Sequence, residues 1–185
     1  QEVYRFGNTA GFRHVMGLRY RLIPYLYSEY MKAALRGEMM FRPLAFDYPD
    51  DKYAAQVEDQ LLLGNELMLA PVYEQNARGR YVYLPETMKM VRFKEDGTME
   101  TEIRPAGHQY IDVELTDVVF FMRPDTLIPL AKPAQCTQDI DFEHLELLKF
   151  VQNEMASYEY YHDDGYSKDY ENPEHLSLLF STTEE

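Results

Sequence analysis

Tryptophan is absent from this 185-residue chain and cysteine occurs once, at Cys136. A single thiol excludes an intrachain disulfide and a cysteine-rich zinc site, and it is compatible with a reducing, cytoplasmic setting. Basic residues are scarce: 18 Lys and Arg stand against 32 Asp and Glu, a net charge of −14. Nucleic acid and anionic membranes both need clustered cations, so neither is expected as a partner. No apolar run approaches the roughly 20 residues of a spanning helix. His14, His108, His144, His162 and His175 include no i, i+4 pair, and no metal or other cofactor is expected. Internal repeats and low-complexity segments are missing. The opening Gln1-Glu2-Val3-Tyr4-Arg5 carries neither an initiator Met nor a signal-peptide pattern, and reads as a cut inside a longer chain.

What is present is apolar and aromatic. A hydrophobic fraction of 45%, with 16 Tyr and 10 Phe, argues for a packed globular body and against disorder. Tyr suits half-buried pleated surfaces, which points to a β-rich fold. One long helix opens the chain: Asn8 or Thr9 caps it, Gly37 ends it after Arg36, and Pro24 bends it by removing one backbone donor. Phe12, Val15, Met16, Leu22, Ile23, Leu26, Tyr30 and Ala33 recur every three or four residues and form its apolar stripe. Left uncovered, so long a stripe should fold back on the chain's own sheets or pair with a second copy through residues 9–36.

Beyond Gly37 the period shortens. Met39–Phe46 reads as a strand, closed by a turn at Tyr48-Pro49-Asp50-Asp51, and Ala54–Leu63 reads as a short helix stopped by Gly64. Strands are then expected about every ten residues, at 66–73, 79–84, 88–94, 108–115, 118–123 and 126–131, with 95–107 an exposed hairpin or loop. Such spacing suggests a β-sandwich. Strand character lapses from Pro133 to Phe142. Leu145–Val151, Ser157–Tyr161 and Leu176–Ser181 add three more strands, with Asp163-Asp164-Gly165 turning a hairpin.

Several motifs stand in one order: Leu18-Arg19-Tyr20-Arg21-Leu22-Ile23-Pro24-Tyr25-Leu26-Tyr27, then Met40-Phe41-Arg42-Pro43-Leu44, Asp59-Gln60-Leu61-Leu62-Leu63-Gly64, and Met68-Leu69-Ala70-Pro71-Val72. Tyr73 to Pro85, Val119-Phe120-Phe121-Met122-Arg123, Ile128-Pro129-Leu130 and Tyr161-His162-Asp163-Asp164-Gly165 continue the series. Together they resemble the C-terminal third of glycoside hydrolase family 31, the α-glucosidase and α-xylosidase family. The resemblance implies three parts. Residues 1–38 would be the last loop and helix of a truncated (β/α)8 catalytic barrel, 39–132 a proximal β-sandwich domain, and 133–185 a short distal β domain. It also implies a retaining hydrolase of α-linked glucosides. Such chemistry needs two carboxyl groups about 5–5.5 Å apart. In the family both Asp residues lie upstream of the region represented here, and neither has a matching motif between Gln1 and Glu185. No catalytic, substrate-binding or metal residue is therefore assigned, and the isolated chain is expected to be inactive. Its partners would be the barrel of the same polypeptide and the oligo- or disaccharide that the barrel holds. Glu2 and Tyr4 would flank the active-site mouth.

Other conspicuous residues have plainer readings. Asp163-Asp164 and Asp50-Asp51 read as turns or caps, since adjacent strand residues point to opposite faces. Arg13, Arg19, Arg21 and Arg42 read as partners for carboxylates, with an anion site as the alternative. Tyr158, Tyr160 and Tyr161 read as core and rim. The rival is that they stack on sugar rings, making the chain a carbohydrate-binding module. Cys136 reads as a small loop residue.

Overall fold

The computed structural model describes residues 5, 7–153, 155–165 and 174–181, the last span without the side chains of Glu174, His175 and Ser181. The chain forms two compact units, one of Gln1–Val15 with Phe41–Pro124 and one of Met16–Met40 with Asp125–Glu185. It is mainly β, with three α-helices and twelve strands among the described residues.

The first unit is built on a six-stranded sheet ordered β1-β2-β3-β8-β5-β6. Its strands are β1 (Phe41–Pro43), β2 (Leu61–Leu63), β3 (Leu67–Leu69), β5 (Met88–Phe93), β6 (Met99–Arg104) and β8 (Val118–Met122). A two-stranded antiparallel ribbon, β4 (Gly79–Leu84) with β7 (Gly107–Asp112), completes the unit. Register explains the core. Leu62 lies opposite Met68, Met68 opposite Phe121, and Phe121 opposite Met90, so four large apolar side chains form one row across four strands. Val82, Leu84 and Ile111 from the ribbon pack with this row, together with Leu44, Ala54 and Met88. Alternation of side chains puts these residues on one face of the ribbon and leaves the other face outward. The sandwich expected from sequence is therefore present.

Two local expectations need correction, and a third is settled. The helix expected over Ala54–Leu63 is a single 3-10 turn, Ala54–Gln56, and Leu61–Leu63 is strand β2. Three consecutive leucines favour a helix by propensity, but Leu62 and Leu63 are both buried, on opposite sides of the sheet. Gln60 reinforces the extended course. Its side chain accepts from the Tyr83 backbone N–H at 2.8 Å and donates to the Tyr83 carbonyl at 2.7 Å, standing in for a strand neighbour at the edge of β4. Gln60→Ala leaves both backbone groups unpaired and is expected to lower stability by about 2 kcal/mol, read as a reduced urea midpoint at constant slope. The strand expected over Met39–Phe46 is confined to Phe41–Pro43, followed by the one-turn helix α3 (Leu44–Asp47). Within 95–107, Met99–Arg104 forms a full edge strand paired with β5. Its side chains are nearly all exposed, so of the two readings, hairpin or loop, the exposed hairpin is the one that forms.

The second unit carries a four-stranded sheet ordered β10-β9-β11-β12. These strands are β9 (Thr126–Leu130), β10 (Glu146–Phe150), β11 (Met155–His162) and β12 (Glu174–Ser181). Strand β9 pairs with β10 and, through Ser157 and Thr126, with β11 in parallel. Asp125 clasps the β10–β11 turn: its carboxylate accepts the backbone N–H groups of Gln152 and Asn153, each at 2.8 Å. Those backbone bonds hold the Asp125 carboxyl below the usual carboxylate range. The hairpin expected at Asp163-Asp164-Gly165 joins β11 to β12, and its continuation over 166–173 lies outside the described residues.

The single long helix is corrected to two, α1 (Thr9–Arg21) and α2 (Ile23–Arg36). Pro24 occupies the first turn of α2, where a missing N–H costs nothing, and Leu22 between the two helices keeps helical dihedrals, its N–H donating to Leu18 at 3.0 Å and its carbonyl accepting from Leu26 at 2.9 Å. The end caps follow the sequence. Asn8 Oδ1 accepts the Gly11 N–H at 3.1 Å, and Gly37 takes a left-handed conformation with φ 70° while its N–H bonds Ala33 at 3.0 Å. The buried face differs from the expected stripe. Pro24, Tyr25, Ser28, Glu29, Met31 and Lys32 are buried on α2, which packs on β9 and β11, whereas Tyr30 is exposed.

Candidate functional site

Three side-chain assemblies concentrate the chemistry of the described residues. In the second unit, α2 is seated on β11 by a buried charge pair. Lys32 Nζ donates to Glu29 Oε1 at 2.6 Å, the Tyr158 hydroxyl donates to the same oxygen at 2.8 Å, and the ammonium lies 4.0 Å from the Tyr158 ring centroid. Ser28 adds a backbone tie, accepting the Tyr161 N–H at 3.0 Å. Nearer the helix ends, Arg21 pairs with Glu146 at 2.6 Å and Arg36 with Glu159.

In the first unit, the Arg-Pro strand β1 places Arg42 against Asp47 of α3. The guanidinium makes a two-pronged contact, 2.7 and 2.8 Å, and also donates to the Asn65 side chain at 2.9 Å. Arg123, from the end of β8, joins the same Asp47 at 2.9 Å and Glu86 at 2.8 Å. The Tyr48 hydroxyl donates to Glu86 as well. The Arg42 hydrogen bonds, aided by the charges of Arg42 and Arg123, hold the Asp47 carboxyl below the usual range. Burial and the Glu86 contact push the Tyr48 phenol up. Fixed ion pairs of this kind tie β1, α3 and β8 together and leave no carboxylate poised for proton transfer.

The third assembly is the outward face of the β4–β7 ribbon. Tyr81 stands directly opposite Tyr110 and Tyr83 opposite His108. Tyr81 and Tyr110 meet edge-on, centroids 5.1 Å apart and planes at 70°, and His108 lies 4.9 Å from Tyr83 and 5.3 Å from Tyr53. Tyr81 is 74% exposed, Tyr73 68% and Tyr110 49%. Open clefts of about 420 and 370 Å³ both have Tyr81 in their walls. Both include Asp59 and Tyr73 in their walls. Asp59 accepts Arg80 at 2.6 Å and the Tyr73 hydroxyl at 3.1 Å. Arg80 also donates to the carbonyls of Pro71 at 2.6 Å and Tyr81 at 3.0 Å, which fixes the loop before β4. Gly79 is required there, since a Cβ would stand 2.4 Å from the Ile111 carbonyl and 2.9 Å from the Tyr110 hydroxyl.

The residues singled out by sequence fall mostly into structural roles. Tyr158, Tyr160 and Tyr161 are buried, so the sugar-stacking alternative does not apply to them. Asp51 caps the turn below it, accepting from Tyr53 and Ala54, and takes the Tyr83 hydroxyl at 2.5 Å. Asp163 accepts Tyr27 and the Gly165 N–H. Arg13 and Arg19 are exposed. Cys136 is exposed beside Asp139 at 3.1 Å. Glu2 and Tyr4 lie outside the described residues. Sequence reasoning passed over Tyr73, Tyr81, Tyr110 and Asp59 as a group. The signal was legible in principle: Gly79-Arg80-Tyr81-Val82-Tyr83 alternates strictly, and so does His108-Gln109-Tyr110.

Comparison with known proteins places this architecture. Residues 37–128 match the model described as the glycosyl hydrolase family 31 C-terminal domain. Lysosomal alpha-glucosidase of Bos taurus is 30% identical over 90% of this chain and 19% of its own length. The GH31 dextranase of Flavobacterium johnsoniae superposes with a TM-score of 0.73 at 29% identity, covering 91% of this chain and 21% of that one. The catalytic-subunit complex of ER glucosidase II, at 22% identity, shares the fold with a TM-score of 0.79 over 98% of this chain and 20% of its own. A mainly β region with this motif order is thus similar to the C-terminal region of glycoside hydrolase family 31 proteins. The chain belongs to glycoside hydrolase family 31, as a C-terminal region of that family. It spans about one-fifth of the length of the relatives it matches.

Proposed function

We propose that this chain is the C-terminal accessory part of a retaining α-glucosidase-like hydrolase acting on α-linked glucosides, and that by itself it does not cleave them. On this reading residues 1–38 are the last loop and helix of the catalytic barrel, 39–132 the proximal sandwich and 133–185 the distal domain. Strand β9 then sits at the handover, numbered with the proximal domain while its hydrogen bonds go to the distal sheet. The observation that carries the reading is the match of 37–128 to the family's C-terminal domain, within a chain that corresponds to about 19% of a full-length relative. The role is mechanical. The Arg42–Asp47–Arg123 ion pairs stiffen the proximal sandwich against which a barrel rests, and the Lys32–Glu29 pair with Tyr158 seats the barrel's last helix on the distal sheet. Exposed Phe41 and Phe46 in one unit, and Tyr30 and Met39 in the other, are apolar surface that the barrel covers on this reading. A second copy of the chain is the competing cover.

The test is hydrolysis of an aryl α-glucoside by the isolated chain beside a longer polypeptide that includes the barrel. The expected result is turnover by the longer polypeptide only. Turnover by the chain alone, undiminished on repurification, overturns the assignment.

A further inference from the structure

We propose that the outward face of the β4–β7 ribbon, centred on Tyr81 and Tyr110, is a non-catalytic binding site for neutral α-linked gluco-oligosaccharides. The identity of the sugar rests on the family reading above, whereas the existence of a site rests on the ribbon alone. Large aromatic side chains at such exposure are unfavourable unless something covers them, and here they are clustered. Tyr81 and Tyr110 are set edge-on, which keeps one ring face open rather than burying it against its neighbour. The next row, Tyr83 with His108, follows two residues along the strand, about 7 Å away. Tyr53 packs on both members of that row, so the open stacking surface is the Tyr81–Tyr110 pair.

The rim sets the ligand class. Asp59 has two partners in Arg80 and the Tyr73 hydroxyl, and its carboxylate lies in the wall of both clefts beside Tyr81. Glu74 stands in the wall of the larger cleft. Carboxylates at this position repel anions and accept strong hydrogen bonds from hydroxyl groups. A pyranose offers both complementary features, an apolar C–H face for the tyrosine ring and a rim of hydroxyl donors. Volumes of about 420 and 370 Å³ lie within the range of small-ligand sites. The Arg80 guanidinium is already committed to Asp59 and to backbone carbonyls, so its role is to hold the wall and not to grip the ligand. Gly79 keeps the floor open for the Tyr110 hydroxyl.

The experiment is titration of the purified chain with maltoheptaose, isomaltotriose and, as a β-linked control, cellohexaose, followed by tyrosine ring and amide NMR signals. The expected result is a saturable shift of the Tyr81, Tyr110 and Tyr73 signals with an α-linked sugar and none with cellohexaose. Tyr81→Ala should weaken binding about tenfold, equivalent to 1.4 kcal/mol, while Tyr81→Phe and the exposed control Tyr30→Ala, in the other unit, leave it unchanged. Amide spectra of each variant establish that the fold is retained. An absence of saturable shifts, equal response to cellohexaose, or binding that survives Tyr81→Ala and Tyr110→Ala alike overturns the site. So does a longer, barrel-containing polypeptide in which Tyr81 is shielded from nitration before sugar is added, because the cover would then be protein. Binding is read without turnover, so it fails or succeeds independently of the hydrolysis test.

Discussion

Lys32→Ala is expected to destabilise the second unit by about 3–5 kcal/mol, the loss that follows when one member of a buried ion pair is removed. Lys32 and Glu29 are 5% and 4% exposed. Truncating the lysine leaves a carboxylate in the α2–β11 interface with the Tyr158 hydroxyl as its remaining hydrogen-bond partner among the contacts described above. It also removes the ammonium from the face of the Tyr158 ring. Chemical unfolding, followed by far-ultraviolet circular dichroism, should show a lowered midpoint with little change in slope. The double replacement Lys32→Met with Glu29→Leu should recover most of the loss, because no charge is then stranded. A single variant within 1 kcal/mol of the parent would mean that water reaches the pair, contrary to its burial.

Arg123→Ala is the second large effect, expected at about 2–3 kcal/mol from charge-assisted hydrogen bonds. Its guanidinium side chain is 22% exposed and links Asp47 to Glu86, with the Tyr48 ring 5.2 Å away. The loss carries a pH signature. Asp47 is held below its ordinary value first by the Arg42 hydrogen bonds and then by the charges of Arg42 and Arg123, against the opposing effect of burial. A carboxyl lowered in the folded state contributes stability that is complete above its unfolded pKa, near 4. That contribution disappears as the pH falls through the lower folded value. The gap between parent and Arg123→Ala should therefore be widest near neutrality and narrow below about pH 4. A gap that is the same at pH 7 and pH 2.5 would show that the Asp47 contact contributes nothing. Arg42→Lys tests the neighbouring fork separately, since a single ammonium cannot reproduce the two-pronged contact with Asp47.

Much of the fold is legible in local sequence because local chemistry decides it. Asn8 before a helical run and Gly37 after one act through hydrogen bonds within a few residues, and both caps form where the residues imply. Gly79–Leu84 and Val118–Met122 form strands at or within a residue of the spans read from alternation. The misread elements are those in which a distant partner overrides propensity. Leu61–Leu63 favours a helix in isolation and becomes a strand because β1 and β3 flank it on both sides. Met99–Arg104, which the sequence leaves open to a hairpin or a loop, is a strand because β5 offers it a full ladder. The apolar stripe expected over residues 9–36 is not the buried face of α2: packed against β9 and β11, the helix turns Tyr25, Met31 and Lys32 inward and Tyr30 outward.

The candidate site divides the same way. Each tyrosine is visible in the sequence, yet nothing local distinguishes Tyr158, which is 3% exposed, from Tyr81. Sequence by itself determined the family, through the order of its motifs, and the acidic, disulfide-free, mainly β character of the chain. Only tertiary structure decided which helix face is buried, which Arg meets which carboxylate, and which tyrosines reach solvent. Caps and alternation are properties of a few adjacent residues. Burial and pairing depend on which strand or helix, tens of residues away in the chain, comes to lie alongside.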